Sequence, residues 1–175
     1  QLTPARRAQA PLFLPYLSGE RTPHNNAHAS ASLTGLRQEH DAADIGYAVI
    51  EGVSFGLMDG FAAMRGETPL ASELALVGGG ARSDLWAQLL ASGLGHRLRR
   101  HEGAYAAAAV GAARLGWLAT GGDEAQVCGT PQGGRLFEPD AIEAVLLRPR
   151  YQRFRSLYPA LEPHFASSLA AQARA

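Results

Sequence analysis

The spacing of apolar residues changes along the chain and predicts a series of elements. From Ala42 to Arg65 apolar residues recur every four positions, at Ile45, Val49, Val53, Leu57 and Phe61, which predicts a long helix with that stripe buried. Asp41 stands at its N-cap, and Gly66 and Pro69 predict its end. Gly46, Gly52, Gly56 and Gly60 lie inside it. Each costs about 1 kcal/mol of helix propensity against alanine, so the pattern predicts close approach of a neighbouring backbone. The short apolar run Leu74 to Val77 predicts a buried strand over 73–78. After Gly78, Gly79 and Gly80, Ser83 is placed to cap a helix over 84–94 that carries Leu85, Trp86, Leu89 and Leu90 and stops at Gly95. A short strand over 96–100 and a helix over 105–120 follow, the latter ended by Gly121 and Gly122.

The remaining segments are less periodic. Residues 11–36 carry Pro11, Pro15, Gly19, Pro23 and Gly35 and read as a structured loop, with extended pieces at Leu12–Leu14 and Ala31–Leu33. Residues 121–137 read as a loop, and 140–173 as helix interrupted by Pro149, Pro159 and Pro163. Residues 1–11, polar and alanine-rich, read as an unstructured lead-in to a domain over 12–175. Alternating helix and strand predicts an α/β fold.

Composition narrows the function. The chain has 175 residues, one domain or part of one, and is 46% hydrophobic. A net charge of +0 argues against a nucleic-acid surface, and the cluster Arg97, Arg99, Arg100 reads as a solvated strand end. A single cysteine, Cys128, excludes an internal disulfide and a cysteine-based zinc site, and fits a cytoplasmic protein. The apolar stretch Ala104 to Ala119 is too short for a bilayer and carries Arg114, so no membrane partner is expected. The chain opens at Gln1 and reads as a piece of a longer protein. All 16 basic residues are arginines. Without lysine there is no Walker phosphate loop and no Schiff base.

Strand, glycine turn and helix start form a place where bare N–H groups can face an anion, because glycine keeps side chains out of the way. The candidate ligand is a nucleotide phosphate or ribose, held by Gly78, Gly79, Gly80, Ala81 and Ser83. The alternative is a tight strand-to-helix connection and nothing more. Gly78-x-Gly80-x-x-Ser83, with Glu102 about 20 residues on, also approaches a dinucleotide fingerprint but lacks its third glycine.

Several blocks resemble one family, the FGGY carbohydrate kinases, and among them the bacterial xylulokinases. These are Leu14-Pro-Tyr-Leu-Ser-Gly-Glu-Arg-Thr-Pro-His24, Leu33-x-Gly35-Leu36, Asp44-Ile45 with Ala48-Val49-Ile50-Glu51, and Gly78 to Ser83 with Trp86 and Gln88. Gly111-Ala-Ala-Arg-Leu115 and the tail from Arg150-Tyr151 to Tyr158 continue the match. The resemblance implies an actin-like (ribonuclease-H-like) ATPase domain, the C-terminal half of a two-domain sugar kinase, incomplete at its N-terminal strands. It implies ATP, with Mg²⁺ delivered on it, and D-xylulose as substrate, reached through a missing N-terminal domain that also supplies the catalytic base. No catalytic residue and no metal ligand is then expected in this chain. A non-catalytic remnant of the family, or a kinase for another sugar or polyol, is the alternative.

The resemblance places Glu20, Arg21 and Thr22 at the edge of the cleft, although a Glu20–Arg21 ion pair bracing the loop is the better account of the first two. Trp86 either borders adenine or belongs to the core. His24 and His28 read as loop polarity. One departure stands out: where xylulokinases carry an acidic residue followed by Val-Gly-Pro/Ala, this chain has Tyr105-Ala106-Ala107-Ala108. It either alters the cleft or improves the helix. Missing strands would expose a sheet edge and apolar surface, so a homodimer or other self-association is expected.

Overall fold

A computed structural model describes residues 2–64, 71–129, 131 and 133–172. The chain divides into two units, Gln1–Pro69 with Ala141–Ala175, and Leu70–Asp140.

The first unit holds α1 (Pro4–Gln9), β1 (Leu12–Leu14), β2 (Ser32–Thr34), α2 (Ala42–Met64) and α6 (Ala141–Gln172). The lead-in is not unstructured: Thr3 caps α1 by accepting from the Arg6 amide, and Pro4 occupies its first turn, where no N–H is needed. Arg6 and Arg7 tie α1 to Asp44 and Glu143, long-range contacts that local propensity does not report. Strands β1 and β2 pair antiparallel, Leu12 opposite Thr34.

Helix α2 forms over the expected span, but the buried stripe is a different one. Ile45, Val49, Val53 and Leu57 are each at least 37% exposed, while Tyr47, Ala48, Glu51, Gly52, Phe55, Met58 and Asp59 are buried. The buried face is part polar, and its carboxylates have partners. Asp44 meets Arg6, Glu51 meets Arg150, and Asp59 accepts from Tyr151 and pairs with Arg155. The helix is long and apolar enough by composition to cross a membrane, yet these paired carboxylates place that face in the unit's core. Close backbone approach holds at Gly52, where a Cβ would lie 2.2 Å from the Phe13 carbonyl oxygen of β1. Gly66 and Pro69 lie outside the described residues. Helix α6 runs through Pro149, Pro159 and Pro163 without interruption. Its buried residues Leu147, Arg150, Phe154 and Tyr158 keep helical spacing, and their packing outweighs the lost amide bonds.

The second unit holds β3 (Glu73–Ala75), α3 (Asp84–Leu94), β4 (Arg97–Arg100), α4 (Ala107–Ala119), α5 (Glu124–Val127) and β5 (Arg135–Phe137). The sheet order is β3-β4-β5, with β3 parallel and β5 antiparallel to β4. Gly95 is left-handed at the end of α3, as a stop residue should be. The segment read as a loop over 121–137 instead contains α5 and β5. Asp123 caps α5 through the Gln126 amide, and Phe137 is buried opposite Leu98. The arginines of β4 are not a solvated end: Arg97 pairs with Glu138, Arg99 with Glu73, and Arg100 with Asp84 at 2.8 Å.

Candidate functional site: the glycine turn and its cleft

The chain leaves β3 through Leu76, whose amide donates to the Arg99 carbonyl at 2.8 Å, and reverses at Gly78. Gly78 has φ 93, a conformation that side-chain-bearing residues rarely adopt. A 3₁₀ turn over Gly79–Arg82 follows, and then α3. Ser83 caps α3 as expected, its hydroxyl oxygen accepting from the Trp86 amide at 3.2 Å.

The hydrogen bonds of the turn show which groups remain for a ligand. The Gly78 amide donates to the Ala104 carbonyl at 2.9 Å, the Ala81 amide to the Gly78 carbonyl, and the Ser83 amide to the Gly80 carbonyl. The amides of Gly79 and Gly80 have no acceptor among the described residues. A Cβ on Gly78 or Gly79 would meet nothing within 4 Å, so the turn faces open space there. Two neighbouring N–H groups beside free volume form an anion-accepting corner.

The other expected contacts divide. Ala81 is fully buried, with its amide committed to Gly78 and its carbonyl to Arg100, so it has no free backbone group to offer. Trp86 lies against the main chain of Gly80, where a Cβ would come within 2.8 Å of its ring. Glycine at position 80 therefore admits an indole rather than a ligand, and Trp86 takes the packing role. Arg100 donates to the Ala81 carbonyl at 2.7 Å and to Asp84, holding the turn from behind, and Arg135 also donates to Asp84. The two arginines offset the Asp84 carboxylate, which would otherwise repel an anion at this corner.

Beside the turn is a cleft of about 300 Å³ lined by Ala81, Arg82 and residues 100–105. His101 and Tyr105 are side chains that sequence reasoning did not assign to a site, although the Tyr105 departure marked the place; Glu102 entered only through the dinucleotide alternative. The Nδ1 atom of His101 is buried and has no hydrogen-bond partner among the described residues, and the Arg82 guanidinium lies 5.7 Å from the Tyr105 ring centroid.

Glu20, Arg21 and Thr22 belong to the first unit. Glu20 does not pair with Arg21. Its carboxylate accepts from the Thr22 amide at 2.5 Å and the His24 amide at 2.8 Å, bracing the loop through its backbone. Arg21 and Thr22 are exposed. His24 stacks on Tyr158 with ring centroids 3.4 Å apart. Among the described residues no group of three His, Cys, Asp or Glu is placed to hold a metal.

Comparison with known proteins gives the family. Residues 1–120 match the family model for the C-terminal domain of the FGGY family of carbohydrate kinases. The chain is 39% identical over 156 residues to a xylulose kinase of Escherichia coli K12, a match covering 88% of this chain and 32% of that protein. It is 36% identical over 141 residues to a glycerol kinase of Rhodopirellula baltica, covering 79% and 26% respectively. A crystal structure of a xyloylose kinase from Brucella ovis superposes with a TM-score of 0.74 at 39% identity, covering 88% of this chain and 32% of that one. The chain thus spans about a third of the length of these kinases. Its mixed α/β structure is that of their actin-like fold, and the dinucleotide alternative falls away. This chain belongs to the FGGY family of carbohydrate kinases, where it corresponds to the C-terminal domain.

Proposed function

We propose that this chain is the nucleotide-side part of an ATP-dependent kinase that converts D-xylulose to D-xylulose 5-phosphate. The observation that carries the reading is the pair of adjacent amides, Gly79 and Gly80, which have no acceptor among the described residues and lie beside the open space at Gly78 and Gly79. Phosphoryl transfer relies on positioning and charge stabilisation more than on covalent chemistry. Here the Gly79 and Gly80 amides donate to a phosphate oxygen, the empty side of Gly78 admits the ligand, and Ser83 and Trp86 keep the turn in shape. Bound ATP supplies the transferred phosphoryl group, and Mg²⁺ arrives on its phosphates with most of its waters. The base that takes the sugar's proton, and the sugar contacts, are assigned to a further domain of a longer polypeptide. Relatives named xylulose kinase, 37–39% identical over most of the chain, favour xylulose over other sugars. A cytoplasmic location without nucleic-acid or membrane partners is part of the same proposal.

Titration calorimetry tests it. The unmodified chain should give a saturable heat with ATP, and Gly79→Val should remove it while leaving the circular dichroism unchanged, since the added side chain meets open space in the fold. Loss of a general base typically costs about 10²–10⁴ in rate, so a coupled ATP/xylulose assay of the chain alone should show no turnover. Absence of ATP heat refutes the nucleotide role, and robust turnover refutes the division of labour.

Self-association belongs to the same reading. Helix α4 has no buried residue, and Leu115 and Trp117 are 70% and 53% exposed. Sedimentation should therefore show species heavier than 18.5 kDa, and a compact monomer throughout would refute it.

A further inference from the structure

The geometry points to Tyr105 as a stacking platform for the base of the nucleotide, with Arg82 beside it, in the cleft next to the glycine turn. This rests on the nucleotide reading above and extends it to a specificity-determining residue.

Three observations within the second unit converge. First, the cleft is continuous with the phosphate-accepting corner: Ala81 lines it directly after Gly80, and Ala104, also on its wall, accepts the Gly78 amide at 2.9 Å. Second, Tyr105 is 61% exposed and adds little to the core. It stands at the start of α4 as a flat apolar wall with a polar tip. Third, Arg82 sits over this ring with no carboxylate partner among the described residues. Arg100, by contrast, is spent on Asp84 and the Ala81 carbonyl.

Chemistry then selects the ligand class. An exposed aromatic ring and a guanidinium lining one cleft take planar heterocycles by stacking and cation–π attraction. A sugar ring or an aliphatic chain gains far less from such a wall. Unbonded amides at one end and a stacking surface at the other match the two ends of a nucleoside phosphate. On the same wall His101 adds a buried ring nitrogen that has no hydrogen-bond partner among the described residues.

The test compares ATP with inorganic tripolyphosphate, which keeps the phosphates and lacks the base. Both are titrated calorimetrically into the unmodified 175-residue chain, Tyr105→Ala and Tyr105→Phe. Base–aromatic stacking sets the expected effect: about tenfold weaker ATP binding in Tyr105→Ala. ATP affinity should be retained in Tyr105→Phe, and tripolyphosphate affinity should be the same in all three. Equal ATP affinity in Tyr105→Ala and the unmodified chain overturns the inference and leaves the nucleotide reading standing. Parallel loss of both ligands in Tyr105→Ala also overturns it, because the ring would then be supporting the turn. If the unmodified chain binds tripolyphosphate as tightly as ATP, there is no base subsite. If it binds neither, the nucleotide reading itself fails, and this inference with it.

Discussion

The Arg150–Glu51 pair is the sharpest place to test how the first unit is held together. Arg150 of α6 and Glu51 of α2 are 4% and 1% exposed. The guanidinium donates twice to the carboxylate, at 2.6 and 2.7 Å, and also to the Ala8 and Pro11 carbonyls at 3.0 and 3.2 Å. One side chain thus joins α6, α2 and the link between α1 and β1. Arg150→Met keeps much of the volume and removes all four bonds. Glu51 would then be a buried charge left with one hydrogen bond, from the Tyr47 hydroxyl, and the more distant charge of Arg7. Removing one partner of a buried ion pair costs about 3–5 kcal/mol. At roughly 2–4 °C per kcal/mol for a chain of this size, the midpoint should fall by about 6–20 °C.

The direction with pH follows from Glu51. Burial raises its carboxyl above the ordinary range, with the Arg150 hydrogen bond opposing. A carboxyl raised on folding contributes stability below its unfolded value and loses it as pH climbs through the folded one. Without Arg150 the largest opposition to burial is gone, so Arg150→Met should regain stability as pH falls and Glu51 takes up a proton. Adding Glu51→Gln should recover part of the loss at neutral pH. Urea unfolding followed by circular dichroism reads all three effects. A loss under about 1 kcal/mol in Arg150→Met, or a double variant no more stable than the single one, would show that the buried charge is not what the pair neutralises.

Two further outcomes concern the same unit. Gly52→Ala puts a methyl 2.2 Å from the Phe13 carbonyl oxygen, and the overpacking should cost about 1–3 kcal/mol in denaturant titrations; a neutral or stabilising effect would mean that β1 does not lie against α2. Arg6 holds the Asp41 carboxyl down to about 2, helped by the Ala43 and Asp44 amides. A depressed carboxyl contributes stability above its unfolded value that is lost as pH falls through the folded one, so the anchoring of α1 should weaken between about pH 4 and pH 2. An NMR titration placing Asp41 near 3.8 would refute the contact.

What the sequence determined by itself is local. Caps and stops act within one turn of the chain, so Asp41 before α2, Ser83 before α3 and Gly95 after it were legible, as was the glycine reversal after β3. The blocks from Leu14 to Tyr158, taken together in order and spacing, were enough to identify the family. The tertiary structure decided everything that depends on a distant partner. Spacing pointed to Ile45, Val49, Val53 and Leu57 as the buried stripe of α2. The chain instead buries the face with Glu51 and Asp59, because Arg150 and Tyr151, some 90 residues or more away, satisfy those carboxylates. The prolines of α6 read as breaks, but packing of Phe154 and Tyr158 carries the helix through them. The same holds at the turn. Three adjacent glycines look equivalent in sequence. In the fold Gly78 serves the reversal, Gly79 faces open space, and Gly80 admits the ring of Trp86. Burial and hydrogen-bond supply belong to the assembled neighbours of a residue, and no local pattern encodes which neighbours arrive.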